Sequence, residues 1–126
     1  MEKHDRFREL LCIDVVEVRE GFAKLTMKVT KEHLNFVGSA HGGAVFALAD
    51  CAFAEAVNSG ATKAVAVQVS INYIKPSAEG DTLTAEATVV SEGKTFSLCN
   101  VTVSREGKVV ALFTGLAYKL PPDKKT

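Results

Sequence analysis

Read only for hydrophobic and polar positions, the chain changes period twice. From Phe22 to Thr30, Ala23, Leu25, Met27 and Val29 alternate with Phe22, Lys24, Thr26 and Lys28. That two-residue repeat predicts a half-buried strand. From about Gly43 to Asn58 the alternation stops. Val45, Phe46, Leu48, Cys51, Phe53 and Val57, with six alanines among them, cover nearly the whole circumference of a four-turn helix. A helix that is apolar all round is buried all round, and in a chain of this length a sheet is the obvious wrapper. The two-residue repeat then returns. Val65, Val67, Val69, Ile71 and Tyr73 alternate with Ala66, Gln68, Ser70 and Asn72, and Leu83, Ala85, Ala87 and Val89 alternate with Thr82, Thr84, Glu86 and Thr88. Further strands fit Thr95 to Ser104 and Val109 to Lys119.

The dividers Glu20-Gly21, Glu79-Gly80, Glu92-Gly93 and Glu106-Gly107 each place glycine where a tight hairpin asks for positive φ. Asn58-Ser59-Gly60 supplies a stop for the helix. Cys12 to Val18 is β-rich, and Lys31 to Asn35 reads as a loop or single turn. The first ten residues hold a short helix over about 3–10, with Phe7, Leu10 and Leu11 inward, and residues 121–126 read as a frayed tail. The layout is two strands, one long buried helix, then four antiparallel strands: a single α+β domain over 1–126 whose curved sheet wraps the helix. An exposed sheet edge and an incompletely covered helix predict self-association.

Length and charge narrow the classes. At 126 residues the chain is one domain. The 15 basic and 15 acidic residues form no long run of either sign, which argues against nucleic acid or a membrane surface as partner. Cys12, Cys51 and Cys99 are scattered, odd in number and without metal-ligand or redox spacing, as expected of small core residues in a reducing compartment. The N-terminus is charged and no apolar run reaches membrane-spanning length, so the expectation is a cytoplasmic protein.

Asp50 breaks the apolar helix in its middle, with Phe46, Ala47, Phe53 and Ala54 as its three- and four-apart neighbours. An ionised carboxylate there is costly unless paired or solvated, and no Lys, Arg or His lies within one turn of it on the helix. On the helix alone, a solvent-facing polar position and a catalytic acid at the edge of a pocket read equally well. The flanking residues separate them.

Those residues are Asn35, Gly38, His41-Gly42-Gly43, Phe46, Leu48-Ala49-Asp50, Ala52-Phe53-Ala54 and Asn58-Ser59, followed downstream by Asn72-Tyr73, Pro76 and Gly93-Lys94-Thr95. Together they resemble the PaaI-like (phenylacetyl-CoA type) branch of the hotdog-fold acyl-CoA thioesterases, over almost the whole chain. The resemblance implies a hotdog fold, the amide of Gly42 as oxyanion donor, and Asp50 as nucleophile or general base. It also implies a role for the Asn35 side chain in placing the carbonyl or the water. Dimers that often pair into tetramers are implied too, with no metal and no cofactor beyond the coenzyme A of the substrate. Asp rather than Glu at position 50 fits this branch. One position departs: some relatives carry Ser or Thr on the strand after the helix, where this chain has Ala66, with Gln68 and Ser70 nearby.

The chemistry agrees with these assignments. Gly42 and Gly43 start the helix, where amides are unpaired and the dipole favours negative charge. His41 fits a structural role, its ring bonding the turn before the helix, because a thiolate leaves readily without a general acid. Lys75, Lys94 and Arg105, with the Thr95 hydroxyl, are the candidates for holding the phosphates of coenzyme A, and Phe46 and Phe53 for an aryl-acetyl or related short or medium acyl group. Gly42 and Asp50 lie about 12 Å apart along a helix axis, yet each group should approach the reacting carbonyl to about 3 Å. Two chains are therefore expected to build one site. The competing readings are a non-catalytic acyl-CoA binder on the same fold and a hydratase, the latter disfavoured because no Asp-His pair has the required spacing.

Overall fold

The computed structural model describes residues 5–122. A short helix α1 (Arg6–Leu10) precedes the hairpin β1 (Asp14–Arg19) and β2 (Phe22–Lys28); the long helix α2 (Gly42–Val57) follows, then β3 (Ala64–Tyr73), β4 (Thr82–Glu92), β5 (Phe96–Arg105) and β6 (Lys108–Lys119). All strand pairings are antiparallel, in the order β1-β2-β4-β5-β6-β3. The α+β architecture of one long helix against a curved sheet is as expected. No helix among the described residues is long and apolar enough to cross a membrane.

The alternation read from sequence sets the inner face of β2 and β4, and β5 alternates in the same way. Ala23, Leu25 and Met27 of β2, Leu83, Ala85 and Ala87 of β4, and Cys99, Val101 and Val103 of β5 are buried against α2. Alanines are buried on both sides of this core, Ala23, Ala85 and Ala87 on the sheet and Ala44, Ala47, Ala49, Ala52 and Ala56 on the helix. Gly115 of β6 leaves room for Phe53: a Cβ there would stand 2.6 Å from its ring. Phe113 then packs between Phe53 and Phe46, with ring centroids 5.6 Å from each. Asn58 ends the helix and starts β3, since its Nδ2 donates to the carbonyls of Ala54 and Ala64 while its Oδ1 accepts from the Ala64 amide.

Several local expectations are corrected. Phe7 and Leu10 are exposed, at 59 % and 74 %; only Leu11 of that trio packs against the core. In a helix of five residues, no face is long enough to bury three large side chains. The part of the expected helix before Asp5 and the part of the tail after Pro122 lie outside the described residues. Cys12 is exposed rather than in the core, at a backbone φ of 58°; Cys51 and Cys99 are buried. The strand repeat in β3 breaks at a bulge between Ala66 and Gln68, leaving Val65 and Val67 exposed. Gly21, Gly80 and Gly107 have positive φ and Gly93 does not. Gly80 joins no hairpin, because β3 and β4 are not neighbours in the sheet.

Candidate active site

The first turn of α2 is organised by His41. Its Nδ1 accepts the Gly43 amide at 2.8 Å, and its carbonyl accepts the amides of Ala44 and Val45 at 2.9 and 3.1 Å. The structural role expected of His41 puts its ring on the turn before the helix; the ring instead accepts an amide of the helix's own first turn, as an N-cap. Of the first four helix amides, only that of Gly42 has no acceptor among the described residues. It carries the positive end of the helix dipole, which suits a developing oxyanion. A Cβ at Gly43 would lie 3.0 Å from His41 Nδ1, so glycine there admits the cap.

Asn35 sits on the preceding turn. Its Oδ1 accepts the amides of Val37 and Ser39, and its own amide donates to the Ser39 carbonyl at 2.7 Å. The side-chain oxygen thus closes the loop, and the Nδ2 amide is left as a donor without a partner among the described residues. Asn35 and Gly42 line one cleft of about 330 Å³ with Val45, Tyr73, Lys75 and Ser77. The Tyr73 hydroxyl donates to the Gly42 carbonyl at 2.8 Å, and partial burial raises its pKa, keeping it a phenol. Tyr73 was not predicted as a site residue; the strand repeat gives no hint that its hydroxyl reaches the helix start.

Asp50 does not line that cleft. It belongs to a partly accessible stripe of α2, Gly43, Phe46, Asp50, Ala54 and Val57, spaced three and four apart. Its carboxylate has no hydrogen bond or ion pair among the described residues, and its pKa is raised, first by burial and then by the nearby Asp5 carboxylate. Asp5 is brought there by α1, which it caps by accepting the Arg8 amide at 3.0 Å; its other oxygen lies 3.9 Å from Cys51 Sγ. Burial pushes the Cys51 thiol up to about 12, so it is not a nucleophile at neutral pH.

The remaining candidates divide between places. Phe46 is partly buried against Phe113 on the Asp50 stripe, whereas Phe53 is a core residue at 2 % exposure. Lys75 shares the Gly42 cleft, but Lys94 lines a separate cavity of about 600 Å³ with Lys63 and Lys119. Thr95 is exposed beside it in the β4–β5 turn. Arg105 is committed to the loop after β3, donating to the Pro76 carbonyl and Ser77 Oγ and lying 3.6 Å from the Asp81 carboxylate. The β3 bulge puts Ala66 opposite Ala117, where Ala66 is nonetheless exposed, while Gln68 and Ser70 pair with Leu116 and Thr114. Ser70 therefore shares the outer face with Thr114. Among the described residues, no three His, Cys, Asp or Glu side chains cluster as a metal-ligand set.

Comparison with known proteins follows the same lines. Residues 37–112 match the family model described as the thioesterase superfamily. Acyl-coenzyme A thioesterase PaaI of Escherichia coli is 42 % identical over 95 % of this chain and 86 % of its own. The solved structure of the E. coli PaaI protein superposes with a TM-score of 0.91 at 41 % identity, covering 94 % of this chain and 86 % of that one. A Streptococcus mutans protein solved bound to acetyl-CoA superposes with a TM-score of 0.84 at 34 % identity, covering 89 % and 91 %.

Proposed function

The chain belongs to the thioesterase superfamily and is a thioester hydrolase, and on that premise we propose that it cleaves aryl-acetyl or related short and medium acyl-CoA esters at a site built by two subunits. The observation that carries this reading is the split within one chain. The free Gly42 amide and the Asn35 donor share a cleft that Asp50 does not line. Fold and sequence likeness to an acyl-CoA thioesterase supports acyl-CoA as the substrate class.

In the proposed reaction the thioester oxygen meets the Gly42 amide, with the Asn35 Nδ2 donor beside it. The partner's α2 brings its own copy of Asp50 to the opposite side of the carbonyl. The carboxylate either attacks the carbonyl carbon, giving an anhydride that water then cleaves, or takes a proton from an attacking water. In both cases the C–S bond breaks with its electron pair leaving on sulfur as the coenzyme A thiolate, and the acid is released. The Gly42 amide stabilises charge that develops only in the transition state, which accelerates the step rather than merely tightening binding. The assembly that completes the site is a homodimer, paired into a tetramer.

Asp50→Asn is expected to abolish turnover of phenylacetyl-CoA while leaving fold and oligomer intact; near-wild-type release of thiol would remove Asp50 from the mechanism. Of the lysines around the second cavity, Lys63 and Lys94 suit the phosphates of coenzyme A, whereas Lys119 is ion-paired with Glu92. Lys94→Glu should raise KM for acyl-CoA yet leave an N-acetylcysteamine thioester, which lacks phosphates, unaffected. Equal effects on both substrates would remove Lys94 from phosphate binding.

A further inference from the structure

His33 stands two residues before Asn35, yet it is 3 % exposed. Its ring is bonded at both ends. Nδ1 lies 2.9 Å from the Thr30 amide and 3.3 Å from Thr30 Oγ1, and Nε2 lies 2.8 Å from the Leu11 carbonyl. An amide only donates and a carbonyl only accepts, so Nδ1 accepts from Thr30 and Nε2 donates to Leu11. The ring therefore joins the end of β2 to the segment after α1. The His33 backbone does a second task, because its carbonyl accepts the His41 amide at 2.6 Å. Inside that rung, Leu34 bridges Ala40 and the Asn35 amide meets the Ser39 carbonyl. Residues 33–41 are thus a small closed turn whose base is the His33–His41 rung beside Gly42 and whose inner rung holds Asn35.

We propose that His33 is a positioning residue for thioester hydrolysis: anchored in the core through both ring nitrogens, it sets the turn that places the Asn35 and Gly42 donors relative to each other. The proposal rests on the hydrolase reading of that cleft. Neither donor touches His33; its effect passes through the His33–His41 rung and the two covalent steps to Asn35. Removing the ring orphans the Thr30 amide and the Leu11 carbonyl in a buried place, so the base of the turn is free to shift. A displacement of about 1 Å at reacting groups is enough to cost about a hundredfold in rate.

Three variants separate this role from mere support of the fold. His33→Leu loses both ring contacts. His33→Asn keeps an acceptor near Nδ1 for the Thr30 amide, and His33→Gln keeps a donor that reaches toward the Leu11 carbonyl. Steady-state hydrolysis of phenylacetyl-CoA is measured well below each variant's Tm. The expected result is a kcat loss of about ten- to a hundredfold in His33→Leu with KM changed by less than about twofold, and partial recovery in His33→Asn. A folded His33→Leu enzyme with wild-type kcat overturns the proposal. Failure of all three variants to fold overturns it as well, because His33 would then hold the domain rather than the turn. A wild-type protein silent toward every acyl-CoA ester is a different result, visible before any variant is made, and removes the hydrolase reading along with this one.

Discussion

At the scale of single residues, the decisive group is a carboxylate under two pressures of one sign. Burial raises the Asp50 pKa above its ordinary 3.8, and the Asp5 charge raises it further. Since the proposed chemistry needs the ionised form, activity should climb with pH on an acid limb displaced above the ordinary carboxylate range. Asp5→Asn removes the charge but keeps an oxygen to cap α1, so this limb should move to lower pH; an unmoved limb would show that Asp5 does not act on Asp50. The sign for stability is the reverse of a paired carboxylate. A raised folded-state pKa means that the native state holds its proton more tightly, so stability falls as pH rises from 3.8 through the raised value. Asp50→Asn should therefore melt higher than wild type at neutral pH and lose that advantage in acid. His41, by contrast, spends Nδ1 on the Gly43 amide and so caps the helix start.

At the scale of elements, the tightest contact between α2 and the sheet is at Gly115, where the Phe53 ring fills the space a side chain would take. Gly115→Ala drives a methyl into the Phe53 ring and is expected to cost about 1–3 kcal/mol, as overpacking usually does. Urea unfolding measures it, and an unchanged midpoint would mean that Phe53 swings aside freely. Most of this level was legible in the chain. The inner face of β2 and β4 follows the two-residue repeat, and α2 falls within one residue of its expected ends, because both patterns depend on neighbours within a turn or a strand. The β3 bulge was not legible: Val65 and Val67 continue the repeat perfectly and are nevertheless exposed. Only pairing with β6, some fifty residues away, breaks the register there.

At the scale of the whole molecule, the question is which chain supplies the acid. If Asn35 of one subunit works with Asp50 of its neighbour, two dead variants should rescue each other. Asp50→Asn and Asn35→Ala subunits, unfolded together and refolded as a mixture, would form heterodimers in half the cases, each with one intact site of two. About a quarter of wild-type activity is expected under random pairing. No recovery, with heterodimers present, would place both groups in one chain.

By itself the sequence determined the helix, the strands, the buried face and the presence of an Asn, a glycine turn and a lone acid, because periodicity and capping act between residues close along the chain. Tertiary structure alone decided that β3 crosses to the far edge beside β6. It also decided that the Tyr73 hydroxyl reaches the Gly42 carbonyl, that α1 lays Asp5 near Asp50, and that His33 ties Leu11 to Thr30. Each of these joins separate segments of the chain, where the partner is selected by how the whole core packs and local pattern carries no trace of the choice.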